Sequence, residues 1–332
     1  MKRKYDLVAL GDCTIDAFIK LHEASVHCAL DGERCQLCMS FADKIPYESL
    51  TVVPAVGNAA NVAVGASRLG FDVAFLSAVG GDRNGQDVLE VYRREGVSTE
   101  FIKINQKLPT NYHFVLNFQA ERTILIKHQN YEYVDPRIID KKTDWLYFSS
   151  IGENTLPFHH KVEEYLRKHP DVRMGFNPGT FQLRFGTKKL KELYKRTHVL
   201  FVNREEAALI LGTKKLDIQP LFKGLHKLGP KIILITDGPK GAYGSDGNTH
   251  YFMPPYPDPK PPISRTGAGD AFSTGFLCAL MYGLPVHDAL RWAPIESMHV
   301  VQFFGAQGGL LTKPKLLQFL KKAPKNYQPK QI

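Results

Sequence analysis

The sequence predicts an α/β protein, a sheet of mainly parallel strands with helices on both faces, carrying a small β lid. Three observations lead there. Short apolar strands alternate with helical stretches along most of the 332 residues. Polar clusters recur where those strands end, on the side of such sheets where ligands bind. Two segments, about residues 12–50 and 96–130, break the rhythm with short strands and a hairpin, and these are expected to form the lid over a single domain spanning 1–332.

Composition narrows the class. Apolar residues make up 43% and charged residues 23%, as in ordinary globular proteins. No apolar run approaches the ~20 residues of a membrane span. The start is basic and then apolar, but Asp6, Asp12 and Asp16 interrupt it, so a buried first strand is expected rather than a leader. The chain is read as cytoplasmic. The net charge of +10 invites a nucleic-acid reading, yet Lys and Arg are scattered over what look like solvated helix faces. General attraction to anionic ligands such as nucleotides accounts for the balance, and no nucleic-acid partner is expected.

Taken in order, residues 5–10 read as a buried strand running into Gly11-Asp12-Cys13-Thr14-Ile15-Asp16, whose side chains can present acceptors to hydroxyls. Residues 22–50 hold His22, His27, Cys28, Cys35 and Cys38. Cys28 with Cys35-x-x-Cys38 and a histidine offers the ligand types of a structural zinc site, but the spacing is not a standard knuckle. Reduced cysteines are the expectation, and a disulfide the less expected state, for a cytoplasmic chain. Val56 to Gly70 is a helix of small residues entered through Gly57, with Asn58 and Asn61 at its N-terminus. A strand over 73–79 and a helix reaching Glu95 follow. Residues 112–117 and 123–127 read as a hairpin around Gln119-Ala120-Glu121-Arg122.

Strands over 145–149, 172–176, 199–202 and 232–235 then resume the rhythm. The third runs into Asn203-Arg204-Glu205-Glu206. Asn203 and Glu206 can hold Mg²⁺ through its waters, or Glu206 can simply serve the first turn of a helix. The fourth runs into Thr236-Asp237-Gly238-Pro239-Lys240-Gly241, whose hydroxyl and glycine amides can meet nucleotide phosphates.

The stretch from Ile263 to Phe272 carries the sharpest signal. Gly267, Ala268 and Gly269 precede Asp270 and an apolar run at helical spacing (Phe272, Phe276, Leu277, Leu280). Glycines let amide N–H groups converge at a helix N-terminus, a place suited to anionic oxygens. A carboxylate there fits the task of taking a proton from a hydroxyl that attacks a bound phosphate. A tight turn with an aspartate cap is the plainer alternative. The stretch is neither a dinucleotide loop, whose third glycine would fall at Phe272, nor a Walker A loop, since no Gly-Lys-Ser/Thr occurs.

Together these motifs resemble, over nearly the whole chain, the ribokinase-like (PfkB) family of carbohydrate and nucleoside kinases. The motifs are Gly11-Asp12…Asp16, Gly57-Asn58-Ala59-Ala60-Asn61, Asn203-x-x-Glu206, Thr236-x-Gly238-x-x-Gly241 and Thr266-Gly267-Ala268-Gly269-Asp270-Ala271-Phe272, in the family's order. The resemblance implies a three-layer α/β/α domain with a β lid and ATP-Mg²⁺ phosphorylation of a hydroxymethyl group on a small sugar. A nucleoside acceptor, or a silent sugar- or nucleotide-binding sensor, are the alternatives. It implies Asp270 as base, an anion hole at Gly267–Gly269, and Mg²⁺ and phosphates organised by Asn203 and Glu206. Thr236, Gly238 and Gly241 would line the nucleotide, and Asp16, Gly57 and Asn61, with Asp12, would hold the sugar. The chain departs at Ser264, where the family often has an aspartate of a monovalent-cation site, so potassium activation stays open. It departs also at Val56, in place of a glycine. The Cys/His-rich insertion is not a general family feature, and the lid edges lead to the expectation of a homodimer.

Overall fold

The computed structural model describes residues 5–28, 35–119 and 121–332. The chain opens with β1 (Tyr5–Leu10) and leaves the core as β2 (Thr14–Leu21), β3 (Ser25–Cys28), β4 (Cys35–Cys38) and β5 (Tyr47–Val56). It returns through α1 (Asn58–Arg68), β6 (Val73–Gly80), α2 (Arg83–Arg94), β7 (Val97–Ser98) and β8 (Ile102–Asn105). A second excursion forms β9 (Tyr112–Phe118) and β10 (Glu121–Leu125). Then follow β11 (Thr143–Phe148), α3 (Leu156–Lys168), β12 (Arg173–Phe176), α4 (Thr180–Lys189), α5 (Lys191–Arg196), β13 (Val199–Asn203), α6 (Arg204–Leu211) and α7 (Ile218–His226). The last third holds β14 (Ile232–Thr236), β15 (Ala242–Ser245), β16 (His250–Met253), α8 (Ala268–Met281), α9 (Val286–Val300), α10 (Lys313–Lys321) and β17 (Lys330–Gln331).

The main sheet runs β17-β16-β15-β14-β13-β12-β11-β1-β6-β7, with β8 also on β6. Pairing is parallel from β14 through β6, and the edge strands β15 to β17 are antiparallel. Its strands are apolar on both sides because both faces are covered. Leu7 and Ala9, Val199 and Phe201, and Ile232 and Leu234 point to a core shared with α1, α2, α8 and α9. Their neighbours Val8 and Leu10, Leu200 and Val202, and Ile233 and Ile235 point to a second core under α3, α5, α6 and α7. Alternation along each strand thus builds three layers.

Chain order reverses at β1, which lies between β11 and β6. A crevice opens where strand order reverses, outside the C-terminal ends of the strands. Asp12 follows β1 directly into it.

The lid is a separate four-stranded sheet, β10-β9-β2-β5. Its extent differs from the sequence expectation. The lid was expected to take in residues from 96 onward, but β7 and β8 pair with β6 in the main sheet, and lid structure resumes only at Tyr112. Those two strands are too short for their alternation to show which sheet they join. Ala120, in the expected hairpin turn, lies outside the described residues.

The insertion forms its own two-stranded hairpin, β3 with β4. Here the expectation of reduced cysteines, and that of zinc on Cys28, Cys35 and Cys38, need correction. The register sets Cys28 directly opposite Cys35, and the two form a disulfide. Two of the three proposed ligands are thereby consumed. Cys38 stays free, and no group of His, Cys, Asp and Glu able to hold a metal occurs among the described residues. No helix among those residues is long and apolar enough to cross a membrane.

Candidate active site

The site is built by two helices whose small residues let them approach closely. On α1, Gly65 faces Thr274 of α8 so tightly that a Cβ there would stand 2.6 Å from its methyl group. This approach sets the start of α1 against the start of α8. Asn58 Nδ2 donates to Asp270 Oδ1 at 2.9 Å, and Asn61 Nδ2 to Asp270 Oδ2 at 2.7 Å. Asn61 is held in turn by Gln307 Nε2, which donates to its Oδ1 at 3.0 Å and fixes which end of the amide faces Asp270.

Asp270 is buried, and burial pushes its carboxyl up while the two asparagine donors pull it down. Gly267 caps α8 in the left-handed conformation, φ 80°. A side chain at that position would also strike Ala306, 2.5 Å away. Beyond the cap, the N–H groups of Gly269 and Asp270 have no backbone acceptor among the described residues. Nothing lies within 4 Å of where a Cβ of residue 269 would sit, so this end of the helix opens into free space. The Ala268 carbonyl is tied back by Ser297 Oγ at 2.7 Å.

That space is a cavity of about 140 Å³ lined by Gly269, Asp270, Asn58, Asn203, Glu206 and Thr236, among others. Asn203 and Glu206 form a reciprocal cap on α6. Glu206 N–H donates to Asn203 Oδ1 at 2.7 Å, and Asn203 N–H to Glu206 Oε2 at 2.8 Å. Glu206 is nevertheless pushed up, by burial first and also by the negative charges of Glu205 and Asp270. Two carboxylates facing one cavity, with the charge of Asp270 raising the cost of that on Glu206, form a donor set that suits a divalent cation.

Gly238 and Gly241 are not brought into that cavity. They flank a short turn after β14, both with positive φ, and Asp237 in this turn is bound by Arg204 Nη1 at 2.7 Å. Ser264 uses its hydroxyl locally, accepting from the Thr266 N–H at 3.2 Å.

Asp12, Asp16 and Gly57 form a second group beneath the lid. Gly57 (φ 130°) passes so close to β1's end that a Cβ would meet the Asp12 carbonyl at 2.7 Å. Asp12 has both oxygens engaged, Oδ1 by the Tyr133 hydroxyl at 2.5 Å and Oδ2 by His128 Nδ1 at 2.9 Å. Asp16, on β2, has His113 Nδ1 at 3.5 Å, and its side chain makes no hydrogen bond among the described residues. Asn58 stood within a motif, at the start of its helix beside Asn61. His113, His128 and Tyr133 were missed by sequence reasoning as site residues. These three sit in loops or on a lid strand, where only long-range pairing shows what they face.

The pattern of the pfkB family carbohydrate kinases matches residues 27–313. A ribokinase of Bacillus subtilis is 29% identical over 280 residues, covering 82% of this chain and 89% of that protein. A nucleoside kinase of Methanothermobacter thermautotrophicus is 25% identical, covering 76% and 79%. Among solved structures, Arabidopsis thaliana ribokinase complexed with ribose and ATP superposes with a TM-score of 0.78 at 20% identity, over 96% of this chain and 99% of that one, which establishes the ribokinase fold. With its family pattern matched over most of its length, this chain belongs to the pfkB carbohydrate kinases and is an ATP-dependent kinase.

Proposed function

We infer that the protein transfers the γ-phosphoryl group of ATP to the hydroxymethyl group of a small sugar. The observation that carries this reading is the meeting, in one cavity, of Asp270 and the open N-terminus of α8 with Asn203, Glu206 and Thr236. Asp270 takes the proton from the attacking hydroxyl at a carboxylate oxygen. Asn58 and Asn61 orient that carboxylate and favour its ionised form against burial. The free amides at Gly269 and Asp270, shaped by the Gly267 turn, receive the charge of the transferring phosphoryl group. Glu206 and Asn203 would hold Mg²⁺ through its waters, and the ion neutralises phosphate charge when bound. Thr236, Gly238 and Gly241 would lie along the nucleotide, and Asp16 and Gly57 along the sugar. The lid's apolar outer face supports a homodimer.

ADP release measured with D-ribose, D-fructose and adenosine tests the reading, with Asp270→Asn as control. Acceptor-dependent turnover with a sugar, falling on the order of 10²- to 10⁴-fold in the variant while ATP still binds, is the expected outcome. Adenosine as the sole good acceptor replaces the sugar by a nucleoside. Near-normal turnover in the variant removes Asp270 from the chemistry.

A further inference from the structure

The side chains around the expected sugar place form a set that the catalytic assignment leaves unused. On the lid, Asp16 pairs in register with His113 on one side and Val53 on the other. Paired residues share a face, so the three point the same way. Val53 approaches Gly305, and Phe18, two residues on from Asp16, packs edge-to-face on Phe304 at 4.8 Å. The loop holding Phe304 and Gly305 also holds Ala306, which abuts the Gly267 turn. The face bearing Asp16 and His113 therefore looks toward the catalytic end of α8.

Two atoms on that face, Asp16 Oδ1 and His113 Nε2, are buried without a hydrogen-bond partner among the described residues. His113 is 9% exposed. A buried polar atom left unpaired is costly unless a ligand completes it. His113 stands edge-to-face to His128, with ring centroids 5.3 Å apart, and His128 stands likewise to Phe181 at 5.6 Å. The Nδ1 of His128 is committed to Asp12, whose other oxygen is committed to Tyr133. This sets the tautomer with a proton on Nδ1 and leaves Nε2, which makes no hydrogen bond among the described residues, as an acceptor. Gly152 lies beside this pair without a side chain to fill the space.

We propose that His128 and His113, with Asp16, form the specificity-determining wall of the acceptor site and select a neutral polyhydroxy sugar through its non-reacting hydroxyls. The proposal rests on the kinase reading above and names its substrate class. Asp16 and the His128 Nε2 are acceptors, so they call for ligand groups that donate. A sugar acid would bring its carboxylate against Asp12 and Asp16, to which no Lys or Arg among the described residues is hydrogen-bonded.

The test measures KM and kcat for wild type and His128→Phe with D-ribose, D-fructose, D-gluconate and adenosine. Monodeoxy analogues of the better neutral sugar are included. Calorimetry of the same sugars without ATP accompanies the kinetics. Phe keeps the ring and its aromatic contacts while removing the acceptor. In the variant, KM for the neutral sugar should rise about tenfold or more while kcat and the KM for ATP stay within about threefold. The wild-type penalty for at least one deoxy analogue should shrink toward unity. Unchanged KM and unchanged deoxy discrimination overturn the proposal, as does preference of the wild type for D-gluconate or adenosine. A fall in kcat with KM intact also overturns it, because His128 would then serve the chemistry. Calorimetry separates this failure from that of the kinase reading. Sugar binding lost in His128→Phe supports the proposal even without turnover, and absence of neutral-sugar binding to wild type overturns it.

Discussion

Gly267 and Gly269 stand two residues apart and are glycines for different reasons. Gly267 needs its left-handed backbone and the absence of a Cβ against Ala306. Gly269 has open space where a side chain would go, and that space is the cavity. Gly267→Ala should therefore lower stability by about 1–3 kcal/mol, read as a drop in Tm. Gly269→Ala should leave Tm unmoved while kcat/KM for ATP falls on the order of 10²-fold, because the methyl displaces the phosphoryl group. Equal behaviour of the two variants would remove the distinction. Asn58 yields a prediction in pH. Its donor lowers the Asp270 pKa against the raising effect of burial, and the proposed base works only when ionised. Asn58→Ala should accordingly move the acidic limb of the kcat profile to higher pH, and an unmoved limb would show that Asn58 does not tune the base. At this scale much was legible in the sequence, since Asp270, its glycines and both asparagines lie in short motifs. His128 and Tyr133 were not, because nothing local to residues 128–133 says that this loop closes on Asp12.

At the scale of elements, α8 carries Asp270, the proposed base, and is packed between α1 and α9. Gly275 lets α9 approach, where a Cβ would stand 3.0 Å from Ala293 Cα and 3.1 Å from Glu296 Cγ. Small residues in the sequence of α1 fit its close packing on the sheet, but did not reveal its second partner, α8. Glu296 is the surprise of this contact, a carboxyl inside the helix layer whose Oε2 accepts from Leu311 N–H at 3.2 Å and whose Oε1 has no hydrogen-bond partner among the described residues. Burial pushes it up to about 8 from an ordinary 4.5, outweighing the Leu311 bond and the charge of Arg68. The folded state then holds a proton that the unfolded chain releases above pH 4.5, so this residue's contribution is fully present below that pH. It is lost progressively up to about pH 8. Glu296→Gln keeps the shape and the acceptor but does not titrate. Between pH 5 and pH 8 the wild-type Tm should fall relative to that of the variant, by an amount corresponding to a few kcal/mol. Parallel Tm curves would mean that Glu296 is ionised in the fold.

For the whole molecule, the lid is the element on which both the proposed acceptor site and the proposed association depend. Its existence was legible, because residues 112–127 broke the helix-strand rhythm, but its pairing was not. β2 joins β9 in parallel across more than ninety residues of chain, and only the fold brings them together. One face of this sheet looks into the site through Asp16 and His113. The other carries Leu125 beside Phe114 on β10 and β9, and Val52 with Leu50 on β5 across Ala17 and Ile19 of β2, the four between 44% and 53% exposed. Exposed apolar side chains gathered on one face of an open sheet form a patch of the kind that associates. The lid edges β5 and β10 add unpaired backbone groups beside it. A second copy meeting this face would cover the patch and fix the angle at which each lid closes on its own sugar. Sedimentation at micromolar concentration should then find a dimer for the wild type. Val52→Lys combined with Phe114→Lys should find a monomer with an unchanged far-ultraviolet spectrum, since both side chains point away from the core. The same variant should show a raised sugar KM, because each lid loses the support of the other. A wild type that sediments as a monomer throughout, or a double variant that remains dimeric, would place association elsewhere on the surface.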